Sequence, residues 1–220
     1  MTSTVNCTIK DNIATITLDD GKANIFSFDT MAAFNAALDE AEAADIIIIT
    51  GTQKVTCAGF DLAVMRNEPS RVNEMVKTGG KLLMRLFACP KPVIIASGGH
   101  AIAAGALLML TGDIRIGTMG DAKYGLNESA IGMVLPDFGI ALAQFKIAPH
   151  RLDHVVSVAK LYGPEEAVEV GFLDEIVTPD ALLDTALTTA KMLQEQLDGK
   201  AFAGNKKAIR GALVKELSLN

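Results

Sequence analysis

The spacing of apolar and polar residues marks the N-terminal part of the chain as β-structure. Apolar and β-branched side chains alternate with polar ones over Val5 to Lys10 and Ile13 to Leu18, with Asp11-Asn12 between the two runs. Two alternating runs joined by such a turn dipeptide are typical of a β-hairpin. The run from Ile46 to Thr50 has no charged residue and ends at Gly51, which indicates a strand buried on both faces.

Two later segments have the period of amphipathic helices. Asp29 offers an N-cap for a helix that runs to about Ala43 and has apolar residues near one face, namely Met31, Phe34, Ala37, Leu38 and Ala41. Ser70 to Phe87 shows the same period, with a bend expected at Gly79-Gly80 and an end before Pro90.

The middle of the chain repeats a strand, a glycine turn and a helix. Val93 to Ala96 is a predicted strand, Gly98-Gly99 a turn and Ala103 to Thr111 a helix, and a strand returns over Asp113 to Ile116. Residues 93–112 carry no formal charge, as a membrane span would. The glycine turn exposes backbone groups that lipid does not satisfy, so we predict a strand and a buried helix.

The last third of the chain is predicted to be mostly helical. Its predicted elements are helices from Asp137, from Gly163-Pro164 to Gly171, from about Asp180 to Leu197 and from about Lys206, with a brief strand at Ile176-Val177. The alternation of strands and helices predicts an α/β fold. We expect one domain, with a core over residues 1–148 and a helical C-terminal part over residues 149–220.

Composition narrows the classes of function. Of 220 residues, 50% are hydrophobic and 5% aromatic, which indicates one aliphatic core. The net charge of -6 and the lack of a basic cluster argue against a nucleic-acid partner. The three histidines lack metal-ligand spacing, and the three cysteines are interpreted as reduced thiols. The first residues show no signal peptide pattern, so we expect a cytoplasmic protein without a membrane partner.

Two turns built from small residues carry the candidate chemistry. Ala58-Gly59-Phe60 and Ala103-Ala104-Gly105 each follow a predicted strand and precede the start of a helix. Backbone N–H groups are unpaired there, and the helix dipole favours negative charge. If the two turns faced one point they would form an oxyanion hole, although close packing alone also selects small residues.

Short segments along nearly the whole chain follow a distinctive order. They are Cys57 to Leu62, Lys91-Pro92-Val93, Gly98 to Gly105, Asp113 to Ile116, Gly125-Leu126-Asn127-Glu128, Gly163 to Ala167 and Gly171 to Val177. Their order and spacing resemble the enoyl-CoA hydratase/isomerase (crotonase) superfamily. The resemblance implies a crotonase-like spiral of ββα repeats and a C-terminal helical oligomerisation part, shorter here than usual. It also implies an acyl-CoA substrate, no separate cofactor because coenzyme A belongs to the substrate, and a homotrimer or dimer of trimers.

The resemblance assigns roles to individual residues. The oxyanion donors would be the backbone N–H groups of Phe60 and Ala104, where the family usually has Gly at the second position. Hydratases of the family use two glutamates, and these positions are Leu107 and Glu128 here. An aliphatic residue at the first position and Gly-Leu-Asn-Glu at the second are similar to the mitochondrial Δ3,Δ2-enoyl-CoA isomerases, which convert a 3-enoyl-CoA into a 2-trans-enoyl-CoA.

One carboxylate is sufficient for that reaction. Glu128 would remove a proton from C2 and return it at C4, and aliphatic neighbours such as Leu107, Leu126 and Met133 would raise its pKa by desolvation. Without the resemblance, Glu128 is more readily interpreted as a surface or helix-capping acid. Asp137 is interpreted either as the N-cap of the helix that follows it or as a second catalytic carboxylate.

The expected contacts with the substrate also follow from the resemblance. They are Lys22, Ala23, Asn24, Ala58, Gly59, Asp61, Leu62, Gly105, Leu107 and Pro136. Lys22 would approach a phosphate or stay solvated, and Asp61 would contact substrate or hold its turn in place. Two other functions remain open. One is another crotonase reaction (hydration, thioester hydrolysis or dienoyl isomerisation) that uses Asp137, and the other is non-catalytic binding of acyl-CoA.

Overall fold

The computed structural model describes residues 4–218, which form two β-sheets surrounded by helices. The strands are β1 (Val5–Lys10), β2 (Ile13–Leu18), β3 (Ile46–Thr50), β4 (Val55–Cys57), β5 (Val93–Ser97), β6 (His100–Ile102), β7 (Ile114–Thr118), β8 (Tyr124–Gly125) and β9 (Glu175–Val177). The helices are α1 (Phe28–Glu40), α2 (Leu62–Asn67), α3 (Val72–Phe87), α4 (Ala104–Thr111), α5 (Asp137–Lys146), α6 (Leu152–Val156), α7 (Pro164–Val170), α8 (Leu182–Gln196) and α9 (Gly199–Ser218). Residues 1–3, which include most of the segment used to judge a signal peptide, lie outside the described part.

The larger sheet has the order β1-β2-β3-β5-β7-β9 and is parallel except for the first pair. The predicted hairpin is confirmed, with Lys10 opposite Ile13. Asp11 and Asn12 both have positive φ, 52° and 58°, as a two-residue hairpin turn of type I′ requires. All residues of β3 and β5 are buried, because helices cover both faces of the sheet centre.

The smaller sheet has the order β4-β6-β8 and is parallel throughout. Each of its strands follows a strand of the larger sheet along the chain, so successive strand pairs form the turns of a spiral. These strands have two or three residues, too few to show a period, and the sequence pattern did not identify them. A Cβ atom at Gly99 would overlap the backbone of Lys54, so glycine is required where the chain passes between the sheets.

Two helix starts differ from the sequence prediction. The N-cap of α1 is Ser27, whose hydroxyl accepts the N–H of Thr30 at 3.1 Å, and Asp29 lies in the first turn of the helix. Helix α9 begins at Gly199 and not near Lys206. Its early part contains two glycines, which have low helix propensity, and the pattern therefore understated its length.

Helix α3 continues without a break through Gly79 and Gly80. A Cβ atom at Gly79 would overlap the ring of Phe60, and one at Gly80 would lie 2.8 Å from the ring of Phe138. The absence of side chains at these glycines therefore allows the rings of Phe60 and Phe138 to pack directly against the backbone of α3. The bend expected at this pair stays a prediction.

The C-terminal segment packs against the core. Strand β9 pairs with β7, and α8 covers one face of the larger sheet through Leu182, Ala186 and Ala190. In α9, Lys206 and Arg210 both form ion pairs with Asp113, at 2.6 and 2.7 Å. The division at residues 148 and 149 stays a prediction, as does oligomerisation.

Candidate active site

Three segments of the candidate site lie at the same end of the smaller sheet. Strand β4 leads into the turn Ala58-Gly59-Phe60, β6 into Ala103-Ala104-Gly105, and β8 into the segment that contains Glu128. The carboxyl ends of parallel strands share one edge of a sheet, so segments about 25 to 70 residues apart in sequence are brought together. A hydrogen bond of 2.9 Å from Ala103 N–H to the carbonyl of Gly125 joins two of them.

The two small-residue turns are in direct contact. Gly59 has φ of +104°, and a Cβ atom there would lie 3.0 Å from Cβ of Ala103 and 3.6 Å from the backbone nitrogen of Ala104. A Cβ atom at Gly105 would overlap the carbonyl oxygen of Cys57. Close approach of two backbones, which only glycine permits at these positions, therefore places both predicted oxyanion donors in one neighbourhood.

The backbone N–H group of Phe60 is directed away from the segment that contains Phe26. The bridge between Phe26 and Phe60 uses the carbonyl of Gly59, at 2.8 Å, and the N–H of Asp61, at 3.3 Å. In an extended chain the backbone groups of successive residues point in opposite directions. The carbonyl of Gly59 and the N–H of Asp61 point towards Phe26, so the N–H of Phe60 points away from Phe26. Within residues 4–218 it has no hydrogen-bond acceptor, which leaves it available to a ligand.

Ala104 is the first residue of α4, where helix N–H groups have no partner within the helix. The whole residue is buried and does not line the adjacent cavity, so its methyl group does not project into that space. The unusual backbone conformation belongs to Ala103, which has φ of 53° and ψ of -122°. The departure from the family's glycine at position 104 therefore introduces no positive φ at that residue.

A cavity of about 90 Å³ lies beside these turns. Its walls are Ala58, Phe60, Leu62, Met65, Val76, Ala103, Leu107, Asn127, Glu128, Ile131, Met133 and Pro136. Leu62 and Ile131 are each 47% exposed, so the cavity opens to solvent beside them. Apart from Asn127 and Glu128, the side chains that line it in the described part of the chain are apolar.

Glu128 is the buried acid of this cavity, with 8% of its surface exposed. Its Oε2 atom has no hydrogen-bond partner within residues 4–218. Burial raises the pKa of the Glu128 carboxyl above its ordinary value, and a bond from its own backbone N–H opposes that rise. A buried polar atom without a partner costs about 1–3 kcal/mol, which makes Glu128 a candidate functional group.

Leu107 lies in the cavity wall with 1% of its surface exposed. It is on α4, one turn after Ala104, so its side chain occupies the place that an acid would need to face Glu128. Met133 also lines the cavity, whereas Leu126 is buried without lining it. Among the residues that the structure describes, Glu128 is therefore the one acid that lines this cavity.

Asp137 does not cap helix α5, which was the first of its two predicted roles. The N-cap of α5 is Pro136, and the side chain of Asp137, which is exposed, makes no capping bond. Asp137 lines a separate cleft of about 640 Å³ between α3, α5 and α9. Pro136 and Val76 line both spaces, so the cleft adjoins the Glu128 cavity although Asp137 does not line that cavity.

The segment predicted to lie along coenzyme A is mainly held by internal contacts. The side chain of Asn24, 1% exposed, donates to the carbonyls of Leu18 at 2.9 Å and Val55 at 3.1 Å. The carbonyl of Ala23 accepts the N–H of Ala58 at 3.0 Å, whereas Lys22 is exposed. These contacts fix the first turn against the end of β2.

Asp61 and Cys57 also hold the first turn in place. Asp61 is the N-cap of α2, and its carboxylate accepts the N–H of Ala63 at 2.8 Å. The sulfur of Cys57 accepts the N–H of Gly59 at 3.5 Å, and burial raises the pKa of this thiol to about 12. A protonated, buried thiol is a structural group and not a nucleophile.

Asn127 is the polar residue of the cavity wall that sequence reasoning missed. Its Oδ1 atom is buried without a partner in the described residues, directly before Glu128. The one sequence signal was an amide next to the candidate acid in Gly-Leu-Asn-Glu. Within residues 4–218, no group of three His, Cys, Asp or Glu side chains is arranged to hold a metal ion, and no helix has the length and apolar character of a membrane span.

Known proteins are similar to this chain in sequence and in fold. The family model described as enoyl-CoA hydratase/isomerase matches residues 8–217. A peroxisomal enoyl-CoA delta isomerase 2 of Arabidopsis thaliana is 30% identical, with 96% of this chain and 93% of the plant protein covered. A carnitinyl-CoA dehydratase of Salmonella paratyphi A is also 30% identical, with 88% and 75% covered. An enoyl-CoA hydratase/isomerase family protein from Pseudomonas syringae has a TM-score of 0.94 and 38% identity, with 98% and 94% covered.

These matches extend over nearly the whole chain and confirm both the α/β fold and the family resemblance. An isomerase and a dehydratase occur at the same 30% identity, so overall similarity does not decide between reactions. This chain is therefore an enzyme of the enoyl-CoA hydratase/isomerase family, within the crotonase superfamily.

Proposed function

We propose that this enzyme is a Δ3,Δ2-enoyl-CoA isomerase in which Glu128 moves a proton from C2 to C4 of the acyl chain. The observation that carries the proposal is the cavity that has one buried carboxyl group, with Leu107 where a second acid would stand. A 1,3-proton transfer needs one group that accepts and then donates a proton. An enoyl-CoA delta isomerase from Arabidopsis thaliana is among the relatives that match over nearly the full length, so the proposed reaction is one that occurs within this family.

The reaction begins with the thioester carbonyl oxygen at the backbone N–H groups of Phe60 and Ala104. Ionised Glu128 takes the proton from C2, and the C–H electron pair moves into an enolate whose negative oxygen the two N–H groups stabilise. The enolate then shifts its electrons towards C4. Protonated Glu128 donates its proton there, which leaves the double bond between C2 and C3.

Burial of Glu128 suits both halves of this cycle. A raised pKa makes the carboxylate a stronger base than a solvated glutamate and lets the acid form exist during turnover. Addition of water, in contrast, needs a second group to position and activate the nucleophile. Leu107 supplies none, and we therefore favour isomerisation over hydration.

The function is tested with 3-hexenoyl-CoA as substrate. We expect the purified protein to form the conjugated 2-enoyl thioester, measured by its ultraviolet absorbance. Removal of one catalytic acid–base group costs about 100- to 10,000-fold in rate, so Glu128→Gln should lose nearly all activity. Asp137→Asn is the matched control, because it makes the same chemical change outside the cavity, and it should stay within about twofold of the wild type.

The opposite pattern, with activity lost in Asp137→Asn and kept in Glu128→Gln, would contradict the isomerase and support another thioester reaction. Saturable binding of acyl-CoA without turnover of any tested ester would support a non-catalytic binding protein. We further propose a homotrimer or dimer of trimers in the cytoplasm, with coenzyme A as part of the substrate and no other cofactor. The support for these points is the family to which the chain belongs.

A further inference from the structure

Two consecutive residues contain unpaired buried oxygens. Oδ1 of Asn127 and Oε2 of Glu128 are the two buried side-chain polar atoms that lack a hydrogen-bond partner within residues 4–218. Buried polar groups are almost always hydrogen-bonded, so an adjacent pair of exceptions points to a function. Both residues line the same cavity of about 90 Å³.

The usual structural roles of asparagine do not account for Asn127. It precedes the 3₁₀ turn Glu128–Ile131 as its N-cap, but its side chain makes no capping bond. Its φ of -106° is not left-handed, so the position does not need asparagine for its backbone. The turn is held by other bonds, including one from Met133 N–H to the carbonyl of Glu128 at 2.9 Å.

Besides Glu128, Asn127 is the polar side chain that the described residues contribute to the cavity wall. The remaining side chains that line the cavity in the described residues are apolar, and no second charged group is among them. Asp137 lies in the neighbouring cleft. The Glu128 carboxyl therefore depends on Asn127 for any side-chain hydrogen bond inside the cavity.

A carboxamide matches both states of a carboxyl group. A carboxylate needs a donor, which the amide Nδ2 supplies, whereas a carboxylic acid needs an acceptor for its O–H, which Oδ1 supplies. The O–H of a protonated Glu128 would need an acceptor, and the buried Oδ1 of Asn127 is an acceptor without a partner in the described residues.

We propose that the Asn127 carboxamide is the hydrogen-bond partner of the Glu128 carboxyl and holds its proton between removal from C2 and delivery at C4. Asn127 is thus a positioning residue that acts through Glu128, and the inference rests on the proposed isomerase function. The proton leaves C2 for Glu128, whose new O–H donates to Oδ1 of Asn127. It then passes to C4, and the carboxylate is restored.

The first test is Asn127→Leu, which keeps the approximate volume of the side chain and removes both hydrogen-bonding groups. We expect kcat for 3-hexenoyl-CoA to fall about tenfold or more, because a hydrogen bond to the transferring group is lost. KM should stay within about twofold, because Asn127 acts on the proton and not on coenzyme A. A variant with unchanged kcat, or with loss confined to KM, overturns the proposal.

The second test is Asn127→Asp, which places a like charge beside Glu128 if the two side chains meet. Like charge disfavours ionisation, so the pKa of Glu128 should rise by about one pH unit or more. We would titrate protein that contains glutamate labelled with ¹³C at its side-chain carboxyl, and assign Glu128 by the signal missing in Glu128→Gln. Asn205→Asp, which adds the same charge at an exposed site on α9, is the control and should leave the titration unchanged.

The titration separates this inference from the proposed function because it needs no turnover. A shifted titration in Asn127→Asp without isomerisation by the wild type supports the contact and rejects the isomerase. Isomerisation by the wild type with no shift in Asn127→Asp rejects the role of Asn127 and leaves the isomerase in place.

Discussion

Ala103 and Ala104 have the same side chain and different backbone conformations. Ala103 has φ of 53° and ψ of -122°, a region that glycine occupies readily and alanine rarely. Ala104 begins α4 and its methyl group is fully buried. The turn between β6 and α4 decides which of the two is strained, and the residue types alone could not show it.

Ala103→Gly should raise the free energy of unfolding by about 1 kcal/mol, because glycine removes the strain at positive φ. Ala104→Gly is the matched control and should lower it by about 1 kcal/mol, since a buried methyl group and helix propensity are lost. Urea denaturation measures both changes. Equal destabilisation by the two variants would show that Ala103 is not strained.

The buried carboxyl of Glu128 should also make the free energy of unfolding depend on pH. Because burial raises its pKa in the folded state, the folded protein binds its proton more tightly than the unfolded chain does. The resulting stability is present below the unfolded pKa and is lost as pH rises through the folded pKa. The wild type should therefore lose stability relative to Glu128→Gln as pH rises from about 4 to 8, because the glutamine variant has no carboxyl group to ionise at this position.

Thermal unfolding of both proteins across that range provides the measurement. A difference in Tm that does not change with pH would mean that Glu128 titrates as it does in the unfolded chain.

At the scale of elements, the short parallel strands β4, β6 and β8 decide where the site lies. Their carboxyl ends align the two turns and the Glu128 segment, although each strand has at most three residues. The contacts between turns need glycine, as Gly105 shows where it lies against the carbonyl of Cys57. The site therefore depends on backbone packing between elements that have little sequence signal of their own.

Gly105→Ala should lower the free energy of unfolding by about 1–3 kcal/mol, because its methyl group would overlap the backbone at Cys57. It should also reduce isomerase activity by displacing the Ala104 N–H. Gly204→Ala, in the exposed part of α9 with no atom within 4 Å of the added methyl group, should instead add up to about 1 kcal/mol. Urea denaturation separates the two, and a stable Gly105→Ala variant would argue against close contact of the turns.

At the scale of the whole molecule, buried charges attach the C-terminal helix to the core. The carboxylate of Asp113, before β7, pairs with Lys206 and Arg210 of α9 and also accepts the N–H of Val93 at 2.8 Å. The side chains of Lys206 and Arg210 are 5% and 8% exposed. Two buried cations thus depend on one acid that is 93 residues away from Lys206 in sequence.

Asp113→Ala should cost about 3–5 kcal/mol of unfolding free energy, because it leaves both cations buried and unpaired. Glu68→Ala removes one partner of the exposed Arg71 and should leave the free energy of unfolding almost unchanged, because solvent screens the pair. Denaturation of the two variants in urea gives the comparison. Similar small losses in both would indicate that α9 contributes little to the stability of the core.

The sequence by itself predicted the α/β fold, the hairpin, most helices and the family, because these follow from local periodicity and from motifs of a few residues. The hairpin is confirmed at the residues predicted, including the turn at Asp11-Asn12. Glu128, Phe60 and the absence of an acid at Leu107 were also recognised from short segments. Their catalytic roles stay predictions that the variants above test.

Only the tertiary structure decided the features that depend on contacts between distant segments. It placed Asp137 in a cleft outside the Glu128 cavity and assigned the N-cap of α1 to Ser27. It also brought Asn127 into that cavity without a partner for its buried oxygen. A local pattern specifies which elements form, but the environment of a side chain is set by whatever the fold packs against it.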